Sequence, residues 1–276
     1  PTMNAVSIHA FDSSANVFSG SLSLDDVRLR APAVFAPSAH ERTSRKYTFI
    51  PTERVLSGLM GAGFVPVAAR QARTRRASPM HARHVVRLRR RFETVQLRDA
   101  VPEIVFLNSH DGTSAYQLRM GVFRVVCLNG LIVSQGAFPA YRVSHRGDVV
   151  DEVVSGALEV SERFGSLAAQ VERMERRPMP KDEQIRFAER ALAVRYPEAA
   201  QSGIQPLQLL TCRRVQDTGD NLWSVFNRVQ ENLLVGGLSR WAASGRLTRT
   251  RRITSIREDV RLNGRLWDLA TEVLAA

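Results

Sequence analysis

Arginine is the chemistry-bearing residue this sequence supplies in quantity. Nine arginines, two histidines and no acid lie between Arg70 and Arg91. Arg73, Arg75 and Arg76 come first, then Arg83, then Arg87, Arg89 and Arg91 alternating with Val86, Leu88 and Phe92. Side chains repeat every two residues along a strand. This spacing therefore predicts a half-buried strand, with a basic row on one face and the three apolar residues on the other. A second group, Arg246, Arg249, Arg251 and Arg252, lies near the C-terminal end. A guanidinium presents a planar fork of donors that fits phosphate. Each phosphate neutralised releases counterions, so a groove lined by both groups would give strong, salt-sensitive, sequence-independent binding of nucleic acid. Tyr47, Tyr116 and Tyr141 are the candidates for stacking on bases, although aromatic residues make up only 7% of the chain and leave that argument thin. The bland alternative is a solvated basic face without function.

The overall charge points the same way. The net is +12, and among 39 basic residues Lys46 and Lys181 are the lysines. A GC-rich genome would explain Arg over Lys, but not the excess of base over acid. A positive field attracts polyanions, so nucleic acid is the expected partner. With 276 residues, 44% of them hydrophobic, the chain can bury a substantial core. No apolar run approaches the roughly 18 residues of a membrane span, so no membrane partner is expected. Nor is there a basic-then-apolar secretory pattern at the N-terminus. Two cysteines, Cys127 and Cys212, make no disulfide framework and fit a reducing cytoplasm.

Other chemistries find little support. There is no GxxxxGK[ST], no HExxH and no CxxC, and the six histidines share no metal-ligand spacing. Neither a cofactor nor a metal is implied. His110, in a polar turn beside Asp111, could be drawn with Cys127 as a base and its nucleophile. Cys127 lies between Val126 and Leu128, however, where cysteine is usually a small buried hydrophobe. Asp217, Asp220 and Glu231 have no metal-site spacing, and Asp220 stands where a helix N-cap would. No catalytic residue is assigned.

The surrounding pattern supplies the elements. Residues 3–42 read as a partly extended N-terminal arm with a short helical turn near "LSLDDVRL", and residues 43–276 as a single α+β domain. "RKYTFIPT" suggests a strand ending at Pro51, and Thr52 a cap for the helix "ERVLSGLMGA" closed by Gly63. "FVPVAARQ", "ARHVVRLRRR", "EIVFLNSH", "SAYQLRMGVFRVVCLNGLIVSQ" and "AYRVSH" make a central antiparallel sheet of about five strands. Val153, Ala157, Val160, Phe164, Leu167, Val171 and Met174 then recur at spacings of 4 and 3. That is one long amphipathic helix over 151–175, whose seam packs on the sheet or joins copies of the chain into a homo-oligomer. A helix at "KDEQIRFAERALAVRYP" follows, then an amphipathic one at "NLWSVFNRVQENLLV", whose Asn227, Gln230 and Glu231 are expected to look sideways or outward. An Arg-rich loop and a C-terminal amphipathic helix close the chain.

Taken together, "YTFIPT…VLSGLMGAGFVPV", "ARHVVRLRRR", "SHDGTSAYQLRMGVFRVVCLNGLIV" and "RRVQDTGDNLWSVFNRVQENLLVGG" resemble the large phage/plasmid-like protein family, a domain-of-unknown-function group of plasmids, prophages and phages. The resemblance runs from about residue 30 to the end. The family's R-x-x-C-x-N-G element matches Arg124, Cys127, Asn129 and Gly130 here. Its N-x-x-Q-E-N-x-x-x-G-G element matches Asn227, Gln230, Glu231, Asn232, Gly236 and Gly237, and His110, Arg213 and Arg214 fall in the matching stretches. The resemblance implies a setting on mobile elements, often beside genes for DNA maintenance, and brings no established reaction. Over direct contact with a ligand, the signature amides are expected to take a structural role, holding backbone groups of the neighbouring sheet or linking Asn129 and Asn227 with Arg124 in one buried network. The function expected is a non-catalytic accessory protein binding single-stranded DNA or recombination intermediates. A module that blocks a host protein, such as a defence system, is the alternative; a Cys/His or metal-dependent enzyme is the third.

Overall fold

A computed structural model describes residues 20–43, 47–73, 78–93, 95, 97, 100–114, 116–124, 130–132, 141–143, 149–197, 203–242 and 244–276. The elements begin with α1 (Leu24–Arg30), α2 (Thr52–Gly61), β1 (Phe64–Gln71), β2 (His84–Arg90), β3 (Ala100–Asn108), β4 (Tyr116–Arg124), β5 (Gly130–Ile132) and β6 (Tyr141–Val143). There follow α3 (Val149–Glu162), α4 (Phe164–Arg176), α5 (Lys181–Arg195), α6 (Leu222–Val235), β7 (Ser239–Trp241), β8 (Leu247–Arg249) and α7 (Ile256–Ala275). The fold is α+β, with β1 to β5 side by side and β6 on β4, every pairing antiparallel.

Alternation along the strands divides the sheet into two faces. Val86, Leu88, Ile104, Phe106, Leu118 and Met120 point to one side, into the main core. Helices α2 and α3 pack on that side. Val85, Val105 and Leu107 point to the other, where Ile256 and Val260 at the start of α7 cover them. Ser255 caps α7 by accepting from the Glu258 amide at 3.3 Å, and Glu258 and Asp259 put negative charge at the positive end of the helix dipole. Further apolar residues of α7, among them Leu262, Leu266 and Trp267, join the main core, with Trp267 edge-on to Phe226 of α6 at 6.1 Å.

Several expectations are corrected. Within the expected arm at 1–42, α1 and a 3-10 turn at Pro32–Phe35 bury Val27, Ala31 and Val34 in the main core, and Leu22 donates its amide to Pro66 O at 2.7 Å. The packed unit thus starts well before residue 43, because capping by Ser23 and apolar spacing are already present there. The expected strand at 47–50 is an irregular lead-in to α2. Thr52 is no cap: it is buried inside the first turn, and Pro51 occupies the cap position. The helix expected over 151–175 is divided at Arg163 into α3 and α4, and every residue of its seam is buried in the main core. A seam spent on the protein's own core is not available to join copies. Phe92 lies beyond the end of β2, where alternation no longer governs it, and is 84% exposed.

Candidate nucleic-acid interface

The face of the sheet that meets α7 carries the arginines of the central strands. In register, Arg87 of β2 lies opposite Val105 of β3, which lies opposite Arg119 of β4. Between Arg87 and Arg89 a single carboxylate intervenes. Glu103, fully buried, accepts from Arg87 Nε at 2.6 Å and from Arg89 Nε at 2.7 Å. The predicted basic row is therefore partly neutralised. Arg87 and Arg89 are bound into a buried ion cluster, whose disruption would leave uncompensated charge. Arg91 lies past the strand and is exposed.

The open part of this face is a cleft of about 620 Å³ between the sheet and α7. Arg83, Arg119, Arg257, Arg261 and Arg265 line it, together with Gln117, Ser114 and Thr113, and Asp268 is the one acid of the lining. Its geometry follows from two periodicities. Arg257, Arg261 and Arg265 recur every four residues, so they form one stripe along α7 while Leu262 and Leu266 face the core. Arg119 reaches the same space from β4, is 8% exposed, and donates from Nη2 to Gln117 Oε1 at 3.1 Å. Arg83 Nη2 donates to Thr113 O at 3.2 Å. Arg261 chelates Glu258 through Nε and Nη2 at 2.9 and 2.6 Å; that pairing raises the arginine pKa further and depresses the glutamate. Arg257 and Arg265 are exposed on the rim. Beside the stripe, Arg70 of β1 pairs with Asp259. Crowded guanidinium groups with few carboxylates create a positive potential, which a polyanion entering from solvent would relieve.

Of the expected nucleic-acid residues, the cleft takes in Arg83. Arg73 is exposed just beyond β1; Arg246, Arg249, Arg251 and Arg252 are exposed on the hairpin β7–β8 and the segment leading to α7. Arg75 and Arg76 lie outside the described residues, as do Cys127 and Asn129; Arg124 ends β4. Arg119, Arg257, Arg261 and Arg265 went unselected in the sequence. The four-residue spacing on α7 was the available signal, whereas nothing local marks Arg119. Tyr116 cannot stack on a base: it is fully buried, its hydroxyl donates to Ile50 O at 2.6 Å, and burial raises its pKa. Tyr47 is partly buried, and burial pushes its phenol up to about 12.

The signature amides do structural work instead. Every residue of α6 from Leu222 to Leu234 is buried, so the polar ones face protein rather than solvent. Asn232 Nδ2 lies 3.0 Å from Leu209 O and 2.8 Å from Thr211 O, while its Oδ1 accepts from Arg213 Nε at 2.6 Å. Arg214 grips Glu231 with Nε at 3.0 Å and Nη2 at 2.8 Å. Gln230 donates to Asn263 of α7 at 2.6 Å, and Asn227 to Trp223 O in its own helix at 2.8 Å. The backbone groups so held belong to the segment 209–211, not to the sheet. Gly236 ends the helix at φ 74°, and a Cβ there would come within 2.7 Å of the Arg251 backbone. Glycine is required on both counts.

His110 belongs to a second buried polar group. Thr52 Oγ1 lies 3.1 Å from His84 Nε2 and 3.0 Å from His110 Nε2, and accepts from Asn108 Nδ2 at 2.9 Å. His84 Nδ1 is 2.9 Å from Ala82 O, which places its proton on Nδ1. Nε2 then accepts from the Thr52 hydroxyl, and His110 donates to that same oxygen. All four residues have no solvent exposure, so the cluster ties α2 to the sheet and admits no substrate. Among the described residues, no group of three His, Cys, Asp or Glu side chains could hold a metal ion, and no helix is long and apolar enough to cross a membrane.

Comparison with known proteins supplies a family but no activity. No solved structure gives a significant match. The chain is 42% identical over 244 residues to the UPF0380 protein YfjQ of Escherichia coli strain K12, covering 88% of each. It is 41% identical over 244 residues to the UPF0380 protein YafZ of the same strain, again covering 88% of each. Residues 39–267 match the family described as Domain of unknown function (DUF932), and to that family the chain belongs.

Proposed function

We propose that this protein is a non-catalytic accessory protein of a mobile element that binds nucleic acid, single-stranded DNA or a recombination intermediate, along the arginine-lined cleft. The observation that carries this reading is the cleft lining itself, five arginines with a single acid in about 620 Å³. In mechanism, guanidinium groups of α7 and β4 hold the phosphate backbone, Arg257 from the first turn of the helix and Arg261 and Arg265 from the turns that follow. The exposed arginines at 249, 251 and 252 extend the basic track from the start of α7 towards the hairpin.

The test is binding of labelled single- and double-stranded DNA across a salt series. The variants are R83E, R257E and R265E combined. Arg87 and Arg89 are unsuitable for reversal, since new acids beside Glu103 would disrupt folding and mimic a loss of binding. The wild type should bind tightly at low salt. The triple variant should lose most of its affinity, and its salt slope should fall by about 2 if three phosphates of a single strand are released. An unchanged slope in a folded triple variant would move the interface elsewhere.

A further inference from the structure

A separate part of the surface carries an aromatic group suited to bases. Strands β7 and β8 form a two-stranded hairpin of their own, in which Trp241 lies opposite Leu247 and Ser239 opposite Arg249. Directly opposed residues share a face, as do alternate residues along each strand, so Trp241, Leu247 and Arg249 point the same way. Trp241 is 61% exposed and Leu247 55%, whereas Trp223 and Trp267 are buried. Arg240 and Arg246 are also exposed, and no acid occurs between Ser239 and Arg252.

The hairpin is anchored rather than loose. Gln208 brackets its first residue, donating from Nε2 to Ser239 O at 3.0 Å and accepting from Ser239 N at 2.7 Å. Thr250 N donates to Leu238 O at 2.9 Å on the returning strand. Gly203 backs the tryptophan so closely that a Cβ there would lie 3.4 Å from Trp241 N and 3.5 Å from Cδ1. One edge of the residue is thus supported by protein while most of it stands in water. Arg249 and Arg257 are eight residues apart, so the connecting chain spans at most roughly 28 Å. A strand of nucleic acid in the cleft could continue onto the hairpin.

We propose that Trp241 stacks on an unpaired base of a nucleic acid whose phosphates are held by Arg246 and Arg249, so that the hairpin confers preference for single strands. An indole face offers stacking to any base, and adjacent guanidinium groups supply the charge a backbone needs. A protein partner would have to be acidic and apolar at once to fit the same surface. This inference rests on the nucleic-acid reading of the cleft, and the test separates the two.

The full-length protein is titrated with an oligothymidylate, with an abasic strand of the same length and with a duplex, and both tryptophan fluorescence and affinity are recorded. Oligothymidylate should quench the fluorescence of the exposed Trp241, and the abasic strand should not. W241A, confirmed as folded by circular dichroism, should bind oligothymidylate about 5- to 150-fold more weakly, the range for losing one stacked base, with abasic binding unchanged. W241F should recover most of the loss. Equal affinity of W241A and wild type for oligothymidylate, with the cleft variants still impaired, would overturn the stacking proposal and leave the cleft reading standing. Equal weakening towards both strands would also overturn it. Absence of wild-type binding to either strand at low salt would overturn both.

Discussion

Protonation of His84 is opposed by everything around it. The ring is fully buried, which disfavours the cation and pushes its pKa down to about 4; the Ala82 carbonyl and the more distant Asp111 carboxylate compensate only in part. Geometry adds a second obstacle. Thr52 Oγ1 already receives Asn108 and, by the tautomer argument, His110, so it has no lone pair for a proton on His84 Nε2. An unfolded histidine titrates near 6.5. Between that value and about 4 the unfolded chain binds more protons than the folded one, so stability rises with pH across this window. The contribution is fully present above about 6.5 and lost as pH falls towards 4, in total about 3 kcal/mol. Urea unfolding measured on either side of the window should show the loss, and H84Q should flatten that part of the profile. A wild-type profile flat over the window would mean that the ring is hydrated or charged in the folded protein. Glu103 makes a related point in opposite chemistry: there the buried carboxylate stays with the sheet because two guanidinium groups reach it, a partnership between residues 14 and 16 positions apart.

Helix α6 shows how far element-level reading of a sequence reaches. Its length, its apolar stripe and its glycine stop are all legible in "NLWSVFNRVQENLLVGG", and alternation likewise marks β1 to β4. What the pattern cannot convey is how many sides of a helix the rest of the chain will cover. Asn227, Gln230 and Glu231 read as outward-facing because polar residues usually are, yet Glu231 meets Arg214 and Gln230 meets Asn263 of α7, both far away in sequence, while Asn227 bonds back to Trp223 O of its own helix. Arg87 and Arg89 misled for the same reason, their acid lying on the next strand. The α7 stripe was legible as a four-residue repeat but carried no sign of the sheet it would face. Because Asn232 satisfies two carbonyls of the 209–211 segment and one guanidinium, N232A should lower the urea midpoint, costing about 1–3 kcal/mol for each buried group left unsatisfied. N232D keeps the acceptor for Arg213 but loses both donors, and should also destabilise. Limited proteolysis should find new cleavage within 203–217 in either variant. Wild-type resistance in that segment would show that Arg214–Glu231 and the 3-10 turns suffice to hold it.

Over the whole molecule, the net charge of +12 is a standing cost that an anionic ligand would relieve. The exposed ion pairs, such as Arg186–Asp182 and Arg163–Glu159, contribute little individually, because solvent screens them. The excess of arginine over acid at the cleft and hairpin is where a response to polyanions is expected. A ligand that binds the folded chain alone stabilises it by mass action, about 2.7 kcal/mol at a hundredfold excess over Kd. For a chain of this size, at about 2 °C per kcal/mol, that is a rise of about 5 °C in the unfolding midpoint. Single-stranded oligonucleotide should produce such a rise at low salt, and the rise should vanish at high salt, because screening and counterion competition weaken phosphate contacts before they weaken the core. The combined variant R83E, R257E and R265E supplies the control. Its midpoint should rise much less than that of the wild type at low salt, while its own unfolding stays cooperative. Equal stabilisation of the variant would mean that the charge of the whole surface, and not the cleft between the sheet and α7, attracts the strand.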